Sequence, residues 1–265
     1  MKPINVSHLA IHPIKSSQAI MLDKTQVELA GFEFDRRFVV IGKNNKAITG
    51  RTHPQLTQMQ VTLNDQGMVV SAPGMEVLNI KTKDFSAEYL ETRVWSSISQ
   101  GQHCGERQDN WFSRFLGLDC RLVYFGPDTS RQIKDFDQAV GFADGYPVLL
   151  ISEASLADLN ERSVHYHQME QFRPNLVVNN TVAFAEDSWQ RIRVGEVEFI
   201  VHSPCSRCNF PKLNLQTGQP HPDGEPLSVL RQYRTGQDKK IYFGQNIIPL
   251  NEGEIKLGDK VEIIQ

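Results

Sequence analysis

The sequence predicts a mainly β fold with a few helices, an α+β protein made of two closely packed parts. Short apolar runs of strand length, separated by turn residues, fill most of the first third of the chain and return in the last third. Apolar residues at helical spacing occur in only a few short segments. Many short strands with frequent turns indicate a barrel or a sandwich.

The N-terminal third is predicted to contain one strand followed by two hairpins. The apolar run at residues 6–11 stops shortly before Pro13, which favours a strand that ends there. Residues 38–48 and residues 61–70 each contain two apolar runs around a turn rich in Asn or Gly. Both segments are therefore predicted to be β-hairpins.

Three helices follow from capping and spacing. Residues 108–116 carry aromatic and aliphatic side chains at helical spacing, and Gly117 suits the position just after a helix end. A second helix is expected after Ser152, whose hydroxyl can cap free backbone N–H groups. A third is expected over residues 226–233, because Pro226 is tolerated in a first turn.

Strand character returns near the C-terminus. Residues 192–201 and residues 255–264 each carry apolar runs around a central Gly, which predicts two more hairpins. No long linker separates two independent domains. We therefore expect two parts, residues 1–120 and residues 121–265, that pack as one unit with a boundary near residue 120.

Composition argues against several classes of protein. The net charge of −3 and the charged fraction of 22% are ordinary for a globular protein, and this balance argues against nucleic-acid binding. No apolar run approaches the roughly 18 residues of a membrane span, and the first residues lack a signal peptide's apolar stretch. We therefore expect a cytoplasmic protein with neither a membrane nor a nucleic-acid partner. In that reducing compartment, its 4 Cys are not expected to form a disulfide framework.

The Cys-Ser-Arg-Cys run at residues 205–208 is the most specific chemical feature. It follows a strand predicted to end near Val201, so both thiols are expected on a loop. Half of a zinc site is one interpretation, but no second ligand pair accompanies it. A thioredoxin-like redox pair is another, which Pro211 disfavours because a helix should follow. The remaining interpretations are a buried inert pair and a single reactive thiolate, which the positive charge of Arg207 would favour.

Two segments offer groups that could bind an anion or a heterocycle. In a Phe-Arg-Pro-Asn run, Arg173 and Asn175 flank a proline and are expected to project from the same side of an extended segment. Lys15, together with the Ser16 hydroxyl, could hold a phosphate, and Arg36 adds positive charge before the next strand. Taken singly, Arg173 and Asn175 are equally well explained by a surface salt bridge and a turn amide, whereas Lys15 and Arg36 are better explained by a solvated basic patch.

Two polar segments occur in the C-terminal half. Asp144, within a Phe-Ala-Asp-Gly-Tyr-Pro run, could accept hydrogen bonds from ligand N–H groups or form an Asx turn ahead of Gly145. In a Phe-Gly-Gln-Asn run, Gly244 indicates a bulge or a close backbone approach. The amides of Gln245 and Asn246 could contact a ligand.

Together these motifs, in this order and spacing, resemble the MOSC family, which is named for the C-terminal domain of molybdenum-cofactor sulfurase. The resemblance covers essentially the whole chain and is closest to the YcbX-type and amidoxime-reducing members. The N-terminal part resembles the β-barrel that accompanies MOSC domains. The resemblance therefore implies a MOSC-type β-barrel core packed against an N-terminal barrel-like part.

The resemblance also implies a molybdopterin cofactor that carries molybdenum. It makes Cys208 the metal ligand and the catalytic residue, a role that suits a soft thiolate. It implies that both halves of the chain contribute to one cleft. The residues that it assigns to the cofactor's phosphate or pterin, or to the same cleft, are Lys15, Ser16, Arg36, Asp144, Arg173, Asn175, Ser206, Arg207 and Asn246.

The activity implied is the reduction of N-hydroxylated compounds, such as hydroxylaminopurines and amidoximes. The alternative is a carrier that holds molybdopterin or a persulfide on Cys208 and has no turnover of its own. The cysteine spacing fits no iron–sulfur motif, and no Gly-x-Gly-x-x-Gly follows a strand, so no intrinsic cluster or flavin is expected. YcbX-type proteins usually continue into a ferredoxin domain, whereas this chain stops at Gln265. We expect a separate electron-transfer protein of ferredoxin or flavoprotein-reductase type, or else a truncated chain.

Overall fold

A computed structural model describes residues 2–134 and 136–265 and confirms a mainly β fold with three helices. The helices are α1 (Glu106–Leu116), α2 (Glu153–Arg162) and α3 (Leu227–Leu230). The strands of the first half are β1 (Asn5–Ile11), β2 (Ile20–Leu22), β3 (Lys24–Glu28), β4 (Gly31–Phe32), β5 (Phe38–Gly42), β6 (Gln60–Asn64), β7 (Gly67–Ser71), β8 (Leu78–Lys81), β9 (Tyr89–Val94) and β10 (Ser97–His103). Those of the second half are β11 (Cys120–Tyr124), β12 (Val148–Ser152), β13 (Leu176–Asn179), β14 (Arg191–Val194), β15 (Val197–Ser206), β16 (Tyr242–Pro249), β17 (Gly253–Lys256) and β18 (Val261–Ile263).

The largest sheet has eight strands in the order β18-β14-β15-β16-β12-β13-β1-β2. An antiparallel bridge between Asn5 and Lys260 joins the start of β1 to the residue before β18, so the sheet closes on itself as a barrel. Alternate residues of several strands are fully buried, as Val148 and Leu150 show on β12 and Ile192 and Val194 on β14. These side chains form one core cluster inside the barrel.

Three smaller sheets complete the fold, in the orders β5-β11-β10-β9, β17-β3-β4 and β6-β7-β8. Helix α1 buries Trp111 and Phe112 in a second core cluster, which contains residues of β5 and of β6 to β8. Strand pairing crosses residue 120 repeatedly, because β1 lies in the barrel sheet and β3 pairs with β17. The domain boundary near residue 120 stays a prediction.

The helix ends follow the expected capping chemistry. Gly117 adopts a left-handed conformation with φ 71° after α1, and the Ser152 hydroxyl accepts a hydrogen bond from the Ser155 N–H at the start of α2. The third helix is shorter than predicted, because the chain after Leu230 continues in turns, with Tyr233 N–H bonded to the Leu230 carbonyl. Across the described part of the chain, no helix is both long and apolar enough to cross a bilayer.

The hairpin predicted at residues 255–264 is wrong. A turn at Gly258, with φ 83°, does reverse the chain there. The two flanking strands do not pair with each other, however: β17 pairs with β3 and β18 pairs with β14. Turn residues determine where a chain reverses, whereas partners from distant parts of the sequence determine which sheet each strand joins.

Candidate functional site

One cleft gathers polar side chains from both halves of the chain. The N-terminal wall consists of Lys15, Ser16, Arg36, Thr49 and Arg51. The C-terminal wall consists of Asp144, Arg173, Asn175, Cys205, Ser206, Arg207, Cys208 and Asn246. All ten residues selected from the sequence therefore line the same cleft, and their individual roles stay predictions.

The N-terminal wall is assembled by two loops that contact each other. After β1, the chain turns sharply at Ser16, which has φ 76°. The Ser16 hydroxyl accepts a hydrogen bond from the Gly50 N–H at 3.0 Å, and this fastens the loop that carries Arg51. A Cβ atom on Gly50 would lie 2.7 Å from the Phe210 ring, so only Gly allows this approach.

A chain of alternating charges connects the two walls. Lys15 Nζ donates to Asp144 Oδ1 at 2.6 Å and to the Phe142 carbonyl at 2.7 Å. Arg51 Nη1 lies 3.3 Å from the other Asp144 oxygen. Partial burial would raise the pKa of Asp144, but Lys15 and Arg51 outweigh it and hold that pKa far below its usual value. Asp144 is thus engaged by two protein cations, and its predicted role as an acceptor of ligand N–H groups stays a prediction.

A second ion pair lies deeper, at Asp35 and Arg36. Arg36 also donates to Asn175 Oδ1 at 2.9 Å and to the Arg173 carbonyl at 3.2 Å. Burial would raise the pKa of Asp35, but Arg36 and His12 outweigh it and lower that pKa to about 2. Burial, together with Arg173 and Arg36, lowers the pKa of His12 well below its usual value, so its imidazole is neutral at pH 7. Arg36 therefore reaches the cleft with its position fixed.

The prediction that Arg173 and Asn175 project from the same side of an extended segment is wrong, because the backbone at Arg173 is not extended. Arg173 has φ 58°, because a short 3-10 turn over Met169–Phe172 ends at this residue. Its Nη1 donates to the Ser17 carbonyl at 2.6 Å, whereas its Nη2 is buried without a partner within the described chain. Burial and the charge of Arg36 lower the pKa of Arg173 to about 9.

Asn175 has a largely structural role. Its Nδ2 donates to the Ala10 carbonyl at 3.1 Å, and its Oδ1 accepts from the Leu149 N–H at 3.2 Å as well as from Arg36. The side chain is almost completely buried. Asn175 thus positions Arg36 and joins β1, β12 and β13 beneath the cleft.

One thiol lies in a strand and the other on the loop that follows it, so the predicted loop position holds for Cys208 but not for Cys205. Strand β15 continues to Ser206, so Cys205 and Ser206 belong to it, and Cys208 follows two residues later. The Arg207 guanidinium contacts the first of the two thiols: its Nη1 lies 3.1 Å from the sulfur of Cys205. The cation beside Cys208 is Arg51, whose Nη1 is 3.7 Å from Sγ.

The Phe-Gly-Gln-Asn segment supports the thiols from the neighbouring strand β16. Gly244 has φ 79°, and a Cβ there would lie 2.7 Å from the Leu150 carbonyl oxygen, so the predicted close approach is present. Asn246 lines the cleft and donates to the Ser203 hydroxyl at 3.3 Å. Gln245 instead is buried and donates to Asp187 at 2.6 Å, away from the cleft lining.

Sequence reasoning missed two residues beside Cys208, Arg51 and Trp95. Trp95 occupies the turn between β9 and β10 with φ 56°, and 61% of it is exposed. The Arg51 guanidinium lies 4.3 Å from the centre of the Trp95 indole. Neither residue belongs to a motif, so no sequence signal distinguished them from ordinary surface residues.

The other two cysteines are far from this chemistry. All four cysteines are free thiols in the described chain, in agreement with the expectation of no disulfide framework. Burial raises the pKa of Cys104 well above its usual value and raises that of Cys120 to about 11. Both sulfurs pack in the core beneath α1, which makes them inert.

The fold and the cleft define a class: a β-barrel protein with a cleft lined by several cationic side chains and two thiols. Two family models match the chain, the MOSC N-terminal β-barrel domain over residues 4–119 and the MOSC domain over residues 137–262. The chain therefore belongs to the MOSC family, which confirms the resemblance inferred from its motifs.

Curated relatives agree with this assignment. The chain is 33% identical over 272 residues to mitochondrial amidoxime-reducing component 1 of Danio rerio, covering 97% of this chain and 83% of the relative. It is 35% identical over 276 residues to mitochondrial amidoxime reducing component 2 of Bos taurus, covering 97% and 82%. The similarity thus extends through both halves of the chain.

Proposed function

We propose that this protein is a molybdenum-cofactor-dependent oxidoreductase that removes oxygen from N-hydroxylated compounds with electrons from a separate protein. The observation that carries the proposal is the convergence of Cys208 with cationic side chains from both halves in one cleft. The relatives named amidoxime-reducing components support the class of reaction.

The donor set fits an anionic, heterocyclic ligand. Arg173 Nη2 and Arg207 Nε are buried and have no hydrogen-bond partner within the described chain. A buried N–H without an acceptor costs about 1–3 kcal/mol, so a ligand that supplies acceptors at these atoms gains binding energy. Both arginines line the cleft that contains Cys208. A phosphate or pterin edge offers such acceptors, and the Cys208 thiolate suits a soft metal.

Different residues of the cleft suit different parts of the cofactor. Cys208 would supply the sulfur ligand, and Lys15, Ser16 and Arg36 would hold the phosphate. The pterin would contact Arg173, Ser206, Arg207 and Asn246. When bound, the cofactor supplies a metal that accepts oxygen and cycles by two electrons. Arg51, 3.7 Å from Cys208 Sγ, keeps a positive charge beside the ligand sulfur.

Reduction of an N-hydroxyl group to an amine and water consumes two protons as well as two electrons. Asp144 cannot supply them near neutral pH, because its pKa lies far below its usual value. Tyr146 lines the cleft, and its hydroxyl lies 3.0 Å from His202 Nε2. We assign to this pair the delivery of both protons, one after the other, from solvent to the departing oxygen, with Tyr146 Oη as the group that faces the substrate.

Trp95 supplies a surface for the substrate. Its exposed indole lies beside the outer opening that Cys205 and Cys208 also line. A planar purine or benzamidoxime stacks on such a ring, and stacking tolerates many different substrates. The proposal therefore predicts broad selectivity for flat N-hydroxylated compounds.

The test combines metal analysis with turnover. Freshly purified protein should contain molybdenum and should reduce 6-hydroxylaminopurine with an artificial one-electron donor or with an added ferredoxin and its reductase. NADH alone should give no turnover, because the sequence shows no dinucleotide-binding motif. A persulfide on Cys208 with no N-reduction under any donor would instead favour the carrier function and overturn the proposal.

A further inference from the structure

A cluster of metal-ligating side chains lies outside the cleft, at His165, His221 and Asp223. One ligand atom from each residue falls within 4.8 Å of the others. His165 Nε2 is 3.4 Å from Asp223 Oδ2, and the two imidazole rings have centroids 4.3 Å apart. We propose that these three residues form a binding site for a divalent transition-metal ion, with Zn²⁺ as the preferred occupant.

The donor set selects the class of ion. Two imidazoles and one carboxylate are the protein ligands of many zinc sites that keep an open coordination position. Calcium and magnesium prefer oxygen ligands alone, so an imidazole pair disfavours them. His165 and Asp223 have side-chain exposures of 45% and 67%, which leaves the ion in contact with water and exchangeable.

A buried pair beneath the cluster fixes the two ligand loops relative to each other. His167 Nε2 lies 3.0 Å from Glu225 Oε2, and their side chains are only 3% and 9% exposed. The Ser163 hydroxyl contacts both of these groups and also accepts from the His165 N–H at 3.2 Å. The loop that carries His165 is thereby joined to the loop that carries the other two ligands.

Backbone contacts hold each loop in place without an ion. Asn160, near the end of α2, accepts from the His167 N–H at 2.8 Å and donates to the His167 carbonyl at 3.0 Å. The His221 N–H bonds to the Lys212 carbonyl at 2.8 Å, and a turn with Pro222 at its second position closes with a 3.0 Å bond from Gly224 N–H to the His221 carbonyl. The ligands are therefore pre-organised, which lowers the entropy lost on metal binding.

The site lies apart from the proposed chemistry, since none of its ligands lines the cleft. Its position indicates a structural role. An ion there would join the segment between α2 and Arg173 to the segment just before α3, and both segments lead toward the cleft. Metal binding is thus expected to raise Tm rather than to create activity.

The experiment measures Zn²⁺ binding by calorimetry on the full chain and on His165→Ala, His221→Ala, His8→Ala and Cys208→Ser variants. His8 is a matched control, because it is a half-exposed histidine 3.7 Å from Glu153 with no third ligand among the residues that the structure describes. We expect one ion per chain, an affinity at least about 10-fold weaker in the first two variants, and no change in the two controls. Zn²⁺ should raise the Tm of the full chain but not that of His221→Ala.

Unchanged zinc affinity in both histidine variants would overturn the proposal. Loss of binding in Cys208→Ser would also overturn it, because the ion would then occupy the cleft thiols. Co²⁺ provides a second readout, since thiolate ligands add a charge-transfer band that imidazole and carboxylate ligands lack. If His221→Ala fails to fold, His221→Gln, checked by circular dichroism, replaces it with the same expected loss.

Discussion

The two walls of the cleft differ in how far their charges are satisfied by the protein itself. On the N-terminal wall, Lys15 and Arg36 are engaged by carboxylates, an amide and backbone carbonyls, and Arg51 by Asp144. On the C-terminal wall, Arg173 and Arg207 each keep a buried nitrogen without a partner in the described chain. The cations of the first wall thus already have protein partners, whereas the second wall keeps two N–H donors without an acceptor in the described chain.

This difference separates stability from binding. Truncating a partnered buried cation leaves its carboxylate unpaired, so it destabilises the protein whether or not a ligand is present. Truncating a donor that has no acceptor in the protein should lower ligand affinity more than it lowers the free energy of unfolding. Variants of the N-terminal wall should therefore mainly lower the free energy of unfolding, and variants of the C-terminal wall should mainly lower ligand affinity.

The largest effect is expected from Cys208→Ser. A neutral hydroxyl is a poor partner for a soft metal, so molybdenum content and donor-dependent reduction should fall by more than about 100-fold. Cys205→Ser is the matched control and should keep most of both, because the Cys205 sulfur already has Arg207 as its partner and the proposal makes Cys208 the ligand. Equal molybdenum loss in both variants would show that the thiols act as a pair.

A somewhat smaller effect is expected from Arg207→Met. Hydrogen bonds to charged groups contribute about 1.5–3 kcal/mol, so cofactor affinity should fall roughly 10- to 150-fold. The control is Arg37→Met, since Arg37 pairs with Glu28 and lies over Phe125, away from the cleft lining. Cofactor retention is measured by molybdenum content after dialysis. If Arg207→Met retained as much molybdenum as Arg37→Met, the proposed binding role of the C-terminal wall would be contradicted.

The sequence predicted most charged residues of both walls but missed Arg51 on the N-terminal wall and Trp95 at the rim. Cys208, Arg207 and Asn246 belong to motifs of the family, so the resemblance predicted that they would line one cleft. Arg51 and Trp95 belong to none, and only the pairing of strands and loops places them beside the thiol. Which cation approaches which sulfur is a tertiary property, and for that reason the sequence could not tell which cysteine Arg207 contacts.

Backbone conformation accounts for most other differences. The proline after Arg173 indicates that this residue is not helical, but it does not distinguish an extended from a left-handed conformation. The turn at Gly258 was predicted correctly, yet its strands join different sheets. Local chemistry predicted helix caps and turns, whereas partners distant in sequence decided the rest.

Lys15→Met tests the N-terminal wall itself. It removes the buried partner of Asp144 while Arg51 remains beside that carboxylate. Because Asp144 is half exposed, the loss should be smaller than for a fully buried pair, about 1–3 kcal/mol in the free energy of unfolding. Urea denaturation of cofactor-free protein measures it. Arg207→Met, measured in the same way, should lose less, and the reverse order would contradict the comparison.

Lowering the pH should reduce the free energy of unfolding by protonating Asp35, the partner of Arg36 on the N-terminal wall. Its pKa is lowered from 3.8 to about 2 in the folded protein, so its contribution is fully present above the unfolded value and is lost as the pH falls toward 2. The shift corresponds to about 2 kcal/mol. Urea midpoints measured between pH 5 and pH 2 should show this loss, and Asp35→Asn should show a shallower decline. An equally steep decline in that variant would assign the acid sensitivity to other carboxylates.

The smallest effect is expected at the rim, where Trp95 belongs to neither wall. Aromatic stacking contributes about 0.5–1.5 kcal/mol, so Trp95→Ala should raise KM for a planar N-hydroxylated substrate by about 5-fold. The value of kcat should change little, because the indole contacts Arg51 and not the sulfur of Cys208. Trp95→Phe retains an aromatic face and should restore most of the affinity. A fall in kcat with an unchanged KM would mean that Trp95 acts by positioning Arg51 beside the thiolate instead of by holding the substrate.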